Sequence, residues 1–496
     1  MFTGYFRYFG AVSLNGIFMK ENKLYRLLSS LSDNEWKAFE KFTASPYFNM
    51  GRNYLPLFKL LRAFAKKANP PGLPDDETIY SKLYPGKPFN KSVINTMLSG
   101  FTKLTENFLV QLDYDTPGEG KDIALLRQFE KRNFDDLLLK ELALKMKRNE
   151  SKPFDLYKLE FFKSIQDYLV RTSYKSIYDK KIENPVIRRA DYSFFVFYLN
   201  MLNEERDLRV MKSMLNKSNP GRLSALMVKN ISSDYVLSYI EENYPSLSGT
   251  LGLLIRCYVS RDYYEIKELF IKNHHQLEAT LARNISYVIE GLLFDLLAEG
   301  KREYLRERFL FIKFCMENDL LVDKRSGIIP AQPVDNAIYY ALWNKEYEWL
   351  VFFINKYKKA LPADIKNELM RYANLCVLYG KKMYKEALKE IRLMGNASFA
   401  VKWRVRSIEL QILFEIKDFE SIDFAIENFQ KFIRNEKVSE HFEKMLKANI
   451  NAYKAFIKAY QDNNTAEYSF ITKKLSDETP SQFGDWILEK ISGMNN

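Results

Sequence analysis

Few residues in this sequence combine the types and the spacing that chemistry at a site requires. His275 and Glu278 are three residues apart, and a helix through them would place two metal ligands on one face. A metal site needs at least one more ligand, and the sequence offers none nearby. The three cysteines, Cys257, Cys315 and Cys376, are too far apart for a zinc motif or a disulfide framework. We therefore expect no bound metal and three buried free thiols.

Motifs that mark common catalytic sites are also missing. The sequence contains no glycine-rich phosphate-binding loop, no nucleophile elbow and no zinc-protease helix motif. Adjacent carboxylates such as Asp75 and Asp76 are common on solvated helices and give no sign of acid–base chemistry. The sequence therefore predicts a protein that is not an enzyme, with no catalytic residues and no cofactor. A catalytic site assembled from dispersed residues is the alternative that the sequence leaves open.

Basic residues interleaved with aromatic ones are the best candidates for binding RNA or another anion. They cluster in residues 300–314 and 354–371, and Arg306 and Lys313, seven apart, can share one helix face. The net charge of +12 amounts to only about 2.4 charges per hundred residues. Amphipathic helices with an ordinary charged solvent side are thus the alternative. The candidate basic face consists of Arg302, Arg306, Lys313, Lys358 and Lys359.

The composition indicates which elements must position these residues. Aromatic residues make up 15% of the chain, which supplies large side chains for burial between helices. Glycine (19) and proline (16) are scarce for 496 residues, whereas a β-rich chain needs frequent turns. Amphipathic runs of helical period occupy nearly every segment. We therefore predict an all-α fold with more than about 65% helix.

A phrase recurs through the second half of the chain. It reads as a basic residue, any residue and an aromatic, followed by apolar residues three and seven positions later, as in residues 382–391, "KMYKEALKEI". These offsets place three side chains on one helix face, and a period of 35–43 residues holds two helices and two turns. In the second unit Glu307 stands where an apolar residue belongs. The aromatics, which we expect to be largely buried, are Tyr263, Tyr304, Tyr347, Tyr384 and Phe419.

Three of these segments, "KEYEWLVFFI", "KMYKEALKEI" and "KDFESIDFAI", resemble the start of the second helix of tetratricopeptide repeats. Ala387 matches the small residue of that family's pattern, whereas Leu375 and Phe399 stand where the family has glycine and proline. The resemblance covers residues 255–430 and implies an irregular TPR-like α-solenoid. It also implies a surface that binds peptides or proteins.

The chain has one clear boundary signal. Residues 113–122, "DYDTPGEGKD", are acidic and rich in turn residues. We therefore predict a small helical domain over 19–115 and the solenoid over 121–496. Residues 1–18 are expected to be a non-core extension, with Met19 opening the first well-patterned helix.

Within the N-terminal domain two local patterns are informative. Ser32 and Glu35 have the spacing of a capping box, which predicts a helix start at this point. Residues 77–109 resemble a helix-turn-helix module, but the second helix, 91–112, is rich in apolar residues where a DNA-reading helix exposes polar ones. We therefore expect 91–112 to be a buried packing helix.

These observations favour a non-enzymatic helical-repeat scaffold that binds protein partners. The alternative is a nucleic-acid-associated protein that uses the basic face. The best apolar run, 192–202, is about half of the roughly 20 residues that a membrane span needs. We therefore expect a cytoplasmic protein that does not enter a membrane.

Overall fold

The computed structural model describes residues 23–65, 74–115, 119–173, 183–215, 222–324, 326–363, 365–394, 398–436, 440–476 and 480–494. Over these ranges 82% of the residues are helical, in 25 α-helices, and no strand is formed. A parallel bridge between Phe154 and Leu277 is isolated. The all-α prediction is confirmed. The predicted extension, residues 1–18, and Met19 lie outside the described residues.

The chain divides into two compact units, residues 1–145 and 146–496. The predicted limits, 19–115 and 121–496, stay a prediction, and the segment 113–122 lies inside the first unit. The helices of that unit are α1 (Lys23–Ser29), α2 (Asp33–Ala44), α3 (Pro46–Asn49), α4 (Leu55–Ala65), α5 (Asp76–Leu83), α6 (Lys91–Asp115), α7 (Glu119–Lys131) and α8 (Asp135–Glu150), the last of which continues into the second unit.

Aromatic rings form the core of the first unit. Phe39 of α2 stacks on Phe108 of α6 with ring centroids 4.7 Å apart and meets Phe58 of α4 edge-on at 5.5 Å. Ile94 and Phe101, also on α6, are fully buried. The prediction that 91–112 is a packing helix is therefore confirmed.

The capping box at the start of α2 is also confirmed. The backbone N–H of Glu35 donates to Ser32 Oγ at 3.3 Å, and the N–H of Ser32 donates to Glu35 Oε2 at 2.7 Å. Two backbone donors that a helix start leaves without partners are thereby satisfied. These hydrogen bonds lower the pKa of the Glu35 carboxyl.

The second unit consists of helices of very different length. They are α9 (Leu156–Ser173), α10 (Glu183–Leu215), α11 (Arg222–Asn230), α12 (Ser233–Asn243), α13 (Pro245–Val259), α14 (Tyr263–Asn273), α15 (Ala279–Ala298), α16 (Tyr304–Glu317), α17 (Ala331–Trp343), α18 (Tyr347–Tyr357), α19 (Lys366–Gly380), α20 (Tyr384–Arg392), α21 (Phe399–Glu415), α22 (Phe419–Asn435), α23 (Glu440–Gln461), α24 (Thr465–Ser476) and α25 (Gln482–Met494). Of the helices in the described ranges, none is long and apolar enough to cross a membrane.

From α13 onward the helices pack as hairpins in series. Each helix contacts the next one along the chain, and first helices of successive hairpins also touch, as α17 does α19 and α19 does α21. A single hairpin leaves one apolar face uncovered, and the following hairpin covers it. The last helix, α25, packs on α23, α24 and α21.

Except for the turn between α13 and α14, the turns within these hairpins share one backbone motif. At the end of α19 the N–H of Lys382 donates to the carbonyl of Tyr379 at 3.0 Å, and the N–H of Met383 donates to that of Leu378 at 2.9 Å. This is the Schellman motif, whose residue after the helix end takes the left-handed conformation. Lys382 accordingly has a φ of 59°. The same positive φ occurs at Lys345 (60°), Lys417 (62°) and Asn463 (51°).

Candidate functional site

The five recurring aromatics all occupy the same place in their hairpins. Each is the first residue of a second helix: Tyr263 opens α14, Tyr304 α16, Tyr347 α18, Tyr384 α20 and Phe419 α22. Only Tyr263 is fully buried, whereas the other four are half-buried. The expectation of burial thus holds in part, because a residue at the tip of a helix is covered on fewer sides than one in its middle.

Tyr263 explains the one interruption of the apolar pattern. Its hydroxyl donates to Glu307 Oε2 at 3.1 Å, and Lys267 Nζ lies 2.6 Å from the same oxygen. Its ring also meets Tyr304 edge-on, with centroids 5.8 Å apart. Burial and the nearby carboxylate raise the pKa of Tyr263. Glu307 therefore serves as the acceptor for a buried hydroxyl, which would cost free energy if it had no partner.

Two of the other aromatics contact a neighbouring hairpin. The ring of Tyr347 lies against Gly380, where an added Cβ would come within 2.4 Å of its atoms. Phe419 packs near Tyr460 of α23, with ring centroids 6.0 Å apart. These two positions join one hairpin to the next.

The candidate basic residues go to separate partners. Arg302 pairs with Asp485 of α25, Arg306 with Glu346 at 2.5 Å, and Lys313 approaches Glu317 at 3.9 Å. Lys358 and Lys359, at the end of α18, are exposed, and neither is ion-paired to a carboxylate in the described ranges. The first three cations therefore face carboxylates, which leaves them less able to attract an anion than the sequence suggests.

The histidine and cysteine residues build no site. His274–Gln276 form a short 3-10 helix, and Glu278 caps α15 by accepting from the N–H of Thr280 at 2.7 Å. The expectation that His275 and Glu278 share a helix is thus wrong, because the chain changes direction between them. No cluster of possible metal ligands occurs among the described residues. The three cysteines are free and buried, as predicted, and burial raises their pKa values.

Two buried ion pairs in the second unit were not predicted from the sequence. Arg308 Nη2 lies 2.9 Å from Glu290 Oε1, and Arg404 pairs with Asp335. Each guanidinium also covers a tyrosine ring of α17, Arg404 at 4.2 Å from the centroid of Tyr339. Burial raises the pKa of the Asp335 carboxyl, and Arg404 opposes that rise. The only sequence signal is a pair of polar residues, 335–336, within an otherwise apolar helix.

Helix α25 forms an ion pair and hydrogen bonds with residues much earlier in the sequence. The carboxylate of Asp485 pairs with Arg302 and accepts from Trp343 Nε1 at 3.0 Å. At the start of α25 the side-chain amides of Gln482 and Gln411 donate to each other at 3.3 and 2.9 Å. We call the contacts of Asp485 with Arg302 and Trp343 the C-terminal latch. Residues of α17 and α21 are therefore in contact with α25, and these contacts cover part of the surface of both helices.

An open groove remains between α18, α19 and α20. It has a volume of about 360 Å³. Its lining combines apolar side chains with amides and one ion pair: Val351, Ile354, Asn355, Met370, Arg371, Asn374, Val377 and Glu390. Lys358 lies at its border, since it shares a small adjoining cavity with Ile354 and Met370.

Hydrogen bonds within the protein hold three polar side chains of the groove in place before a ligand binds. Glu390 on α20 accepts from Arg371 Nη1 at 3.0 Å and from Asn374 Nδ2 at 3.2 Å, both on α19. This carboxylate is therefore neutralised, and the amides of Asn355 and Asn374 remain exposed. Val351 is 39% exposed. The groove can thus bury apolar side chains and exchange hydrogen bonds with a peptide backbone.

Comparisons with known proteins add no constraint. A scan against protein-family models finds no match to the chain, and searches of curated proteins and of solved structures find none either.

Proposed function

We propose that this chain is a non-enzymatic helical-repeat protein that binds a protein partner through the groove between α18, α19 and α20. The observation that carries the proposal is this open groove, about 360 Å³ in volume, with both apolar and amide side chains. Ligand sites typically combine such an apolar lining with a few placed polar groups. The groove has room for a few side chains of an extended segment.

The proposed architecture is an irregular TPR-like α-solenoid, clearest over residues 255–430. The serial packing of hairpins and the equal placement of the five aromatics support this interpretation. Arrays of this kind present long surfaces that suit extended partners. The chain would act as a scaffold, with affinity supplied by a partner's side chains on the groove floor.

The chemistry of an extended peptide fits the groove. Side chains of Val351, Ile354 and Met370 offer apolar area, and burial of apolar surface contributes roughly 25 cal/mol per Å². The exposed amides of Asn355 and Asn374 each provide a donor and an acceptor, which match the two polar groups of a peptide unit.

The nucleic-acid alternative has less support. Three cations of the candidate basic face, Arg302, Arg306 and Lys313, approach carboxylates. No aromatic ring is among the residues that line the groove, whereas single-stranded nucleic acids bind largely by stacking on aromatic rings.

Selection of peptides from a random twelve-residue display library, with the full chain as bait, tests the proposal. We expect the selected peptides to bind at least about tenfold more weakly to Val351→Glu. A carboxylate among the apolar side chains that line the groove would oppose the burial of a peptide's apolar side chains there. Fluorescence anisotropy with a labelled peptide measures the affinity.

The matched control is Phe470→Glu, which changes another exposed apolar residue, 62% exposed on α24. It should leave the affinity unchanged. The proposal is overturned if no peptide is selected, or if Val351→Glu binds the selected peptides as tightly as the unaltered chain while circular dichroism shows that it is folded.

A further inference from the structure

Positive charge is concentrated on the elements that form the groove. Residues 347–394 contain ten lysines and arginines but five aspartates and glutamates. This segment is about a tenth of the chain and carries +5 of the net charge of +12. The excess per residue is roughly four times the average of the whole chain, so the groove lies in the field of a local cationic surface.

Two carboxylates of this segment are already engaged. Glu390 is held by Arg371 and Asn374. Glu368, on the first turn of α19, accepts from the backbone N–H and the hydroxyl of Ser398 at 2.8 and 2.6 Å. These two acids therefore neutralise Arg371 and cap the chain before α21, and neither pairs with the exposed Lys358 or Lys359.

Helical spacing places the lysines at one end of the groove. Lys358, the residue that caps the end of α18, follows Ile354 by four residues and so extends the lining face by one turn, and Lys359 lies in the turn directly after it. Lys366 precedes Met370 by four on α19. Cations from two adjacent helices thus lie beyond the same end of an apolar floor.

We infer that the partner segment is acidic, an extended peptide whose carboxylates meet Lys358, Lys359 and Lys366 while its apolar side chains occupy the groove. This inference rests on the proposed function and specifies its partner. Charge complementarity at the rim of an interface mainly raises the association rate and selects the partner, while the apolar floor supplies affinity. A polyanion without apolar side chains would leave that floor uncovered.

The probe is the tightest peptide from the library selection, together with a copy in which every Asp is Asn and every Glu is Gln. We expect the selected peptide to carry an excess of acidic residues and to bind the full chain at least about tenfold more tightly than its amide copy. Its affinity should also fall between 50 and 300 mM NaCl, because salt screens exposed charges.

Charge reversal locates the effect. The double variant Lys358→Glu/Lys359→Glu should bind the acidic peptide about tenfold or more weakly and bind the amide copy as before. The matched control is Lys473→Glu/Lys474→Glu, an adjacent exposed pair on α24, which should change neither affinity.

The outcomes separate the two proposals. If the selected peptides lack acidic residues, or bind Lys358→Glu/Lys359→Glu unchanged while Val351→Glu still abolishes binding, the acidic partner is wrong and the groove stands. If Val351→Glu has no effect, the groove itself is wrong. If a single-stranded oligonucleotide displaces the peptide and depends equally on Lys358 and Lys359, the ligand is a nucleic acid instead.

Discussion

Lys382 shows how a residue that looks like a binding group can serve the backbone. Its φ of 59° lies in the left-handed region, which side-chain-bearing residues adopt at a cost of about 1–2 kcal/mol. The position follows from the Schellman turn between α19 and α20, in which the residue after the helix end must take this conformation. Its side chain is exposed, so the charged amine stays hydrated at this position.

We expect Lys382→Gly to stabilise the protein by about 0.5 kcal/mol, since relief of the left-handed strain exceeds the entropy that glycine loses. Lys381→Gly is the matched control, because Lys381 has an ordinary φ of −80° and should lose about 0.5 kcal/mol. Urea denaturation measures both. Equal destabilisation by the two variants would show that the strain at Lys382 is negligible.

Residues that interact over short distances in the sequence could be predicted, and distant pairs could not. Ser32 and Glu35 are three apart, and their types alone specify the capping box. Arg404 and Asp335 are 69 apart, and no local pattern links a buried arginine to its carboxylate. The left-handed conformation of the recurring lysines was not predicted either, because the residue type lysine gives no sign of a positive φ.

At the scale of elements, the contact between hairpins depends on close approach. Gly380 ends α19, and the ring of Tyr347, the first residue of α18, fills the space that a side chain would need. The aromatic phrase correctly located the starts of five helices, since an aromatic with apolar residues at +3 and +7 needs a helix to bring them together. The glycine partner was not foreseen, because it belongs to the following hairpin's first helix.

Gly380→Ala should therefore destabilise the protein by about 2 kcal/mol or more, since the new methyl group would lie within 2.4 Å of the Tyr347 ring. Gly291→Ala is the matched change within α15, where an added Cβ meets no atom within 4 Å. It should stabilise by about 0.5–1 kcal/mol, because alanine favours a helix interior.

Thermal and urea denaturation of these two glycine variants measure the contrast. If both are stabilising, the ring of Tyr347 moves aside at little cost, and the contact does not fix the spacing of the hairpins.

Tyr384 is half-buried, so we expect Tyr384→Ala to lower the free energy of unfolding by less than the roughly 3 kcal/mol of a fully buried aromatic.

On the scale of the whole molecule, the second unit is held by contacts between its last helix and its middle. The C-terminal latch joins α25 to the turn before α16 and to α17. Fold class and hairpin period were predictable from composition and spacing. The latch was not, because Asp485 and Arg302 are 183 residues apart and each belongs to an ordinary amphipathic segment.

Asp485→Ala should cost about 2 kcal/mol, since it removes a charged acceptor from Arg302 and from the indole N–H of Trp343. Glu489→Ala, on the same helix, is the control. Its carboxylate lies 2.6 Å from Lys345 Nζ, but both side chains are about 60% exposed, so the loss should stay under about 0.5 kcal/mol. Guanidinium denaturation followed by circular dichroism compares them, and equal losses would mean that the latch adds no stability.

The latch also determines the order in which contacts of the second unit form during translation. The ribosome adds Asp485 to the chain 183 residues after its partner Arg302. Hairpins joined by short turns can assemble while translation continues, because their contacts are local and close small loops. Arg302 and Trp343 therefore stay hydrated until α25 has been synthesised. The latch therefore forms later than the contacts between neighbouring hairpins.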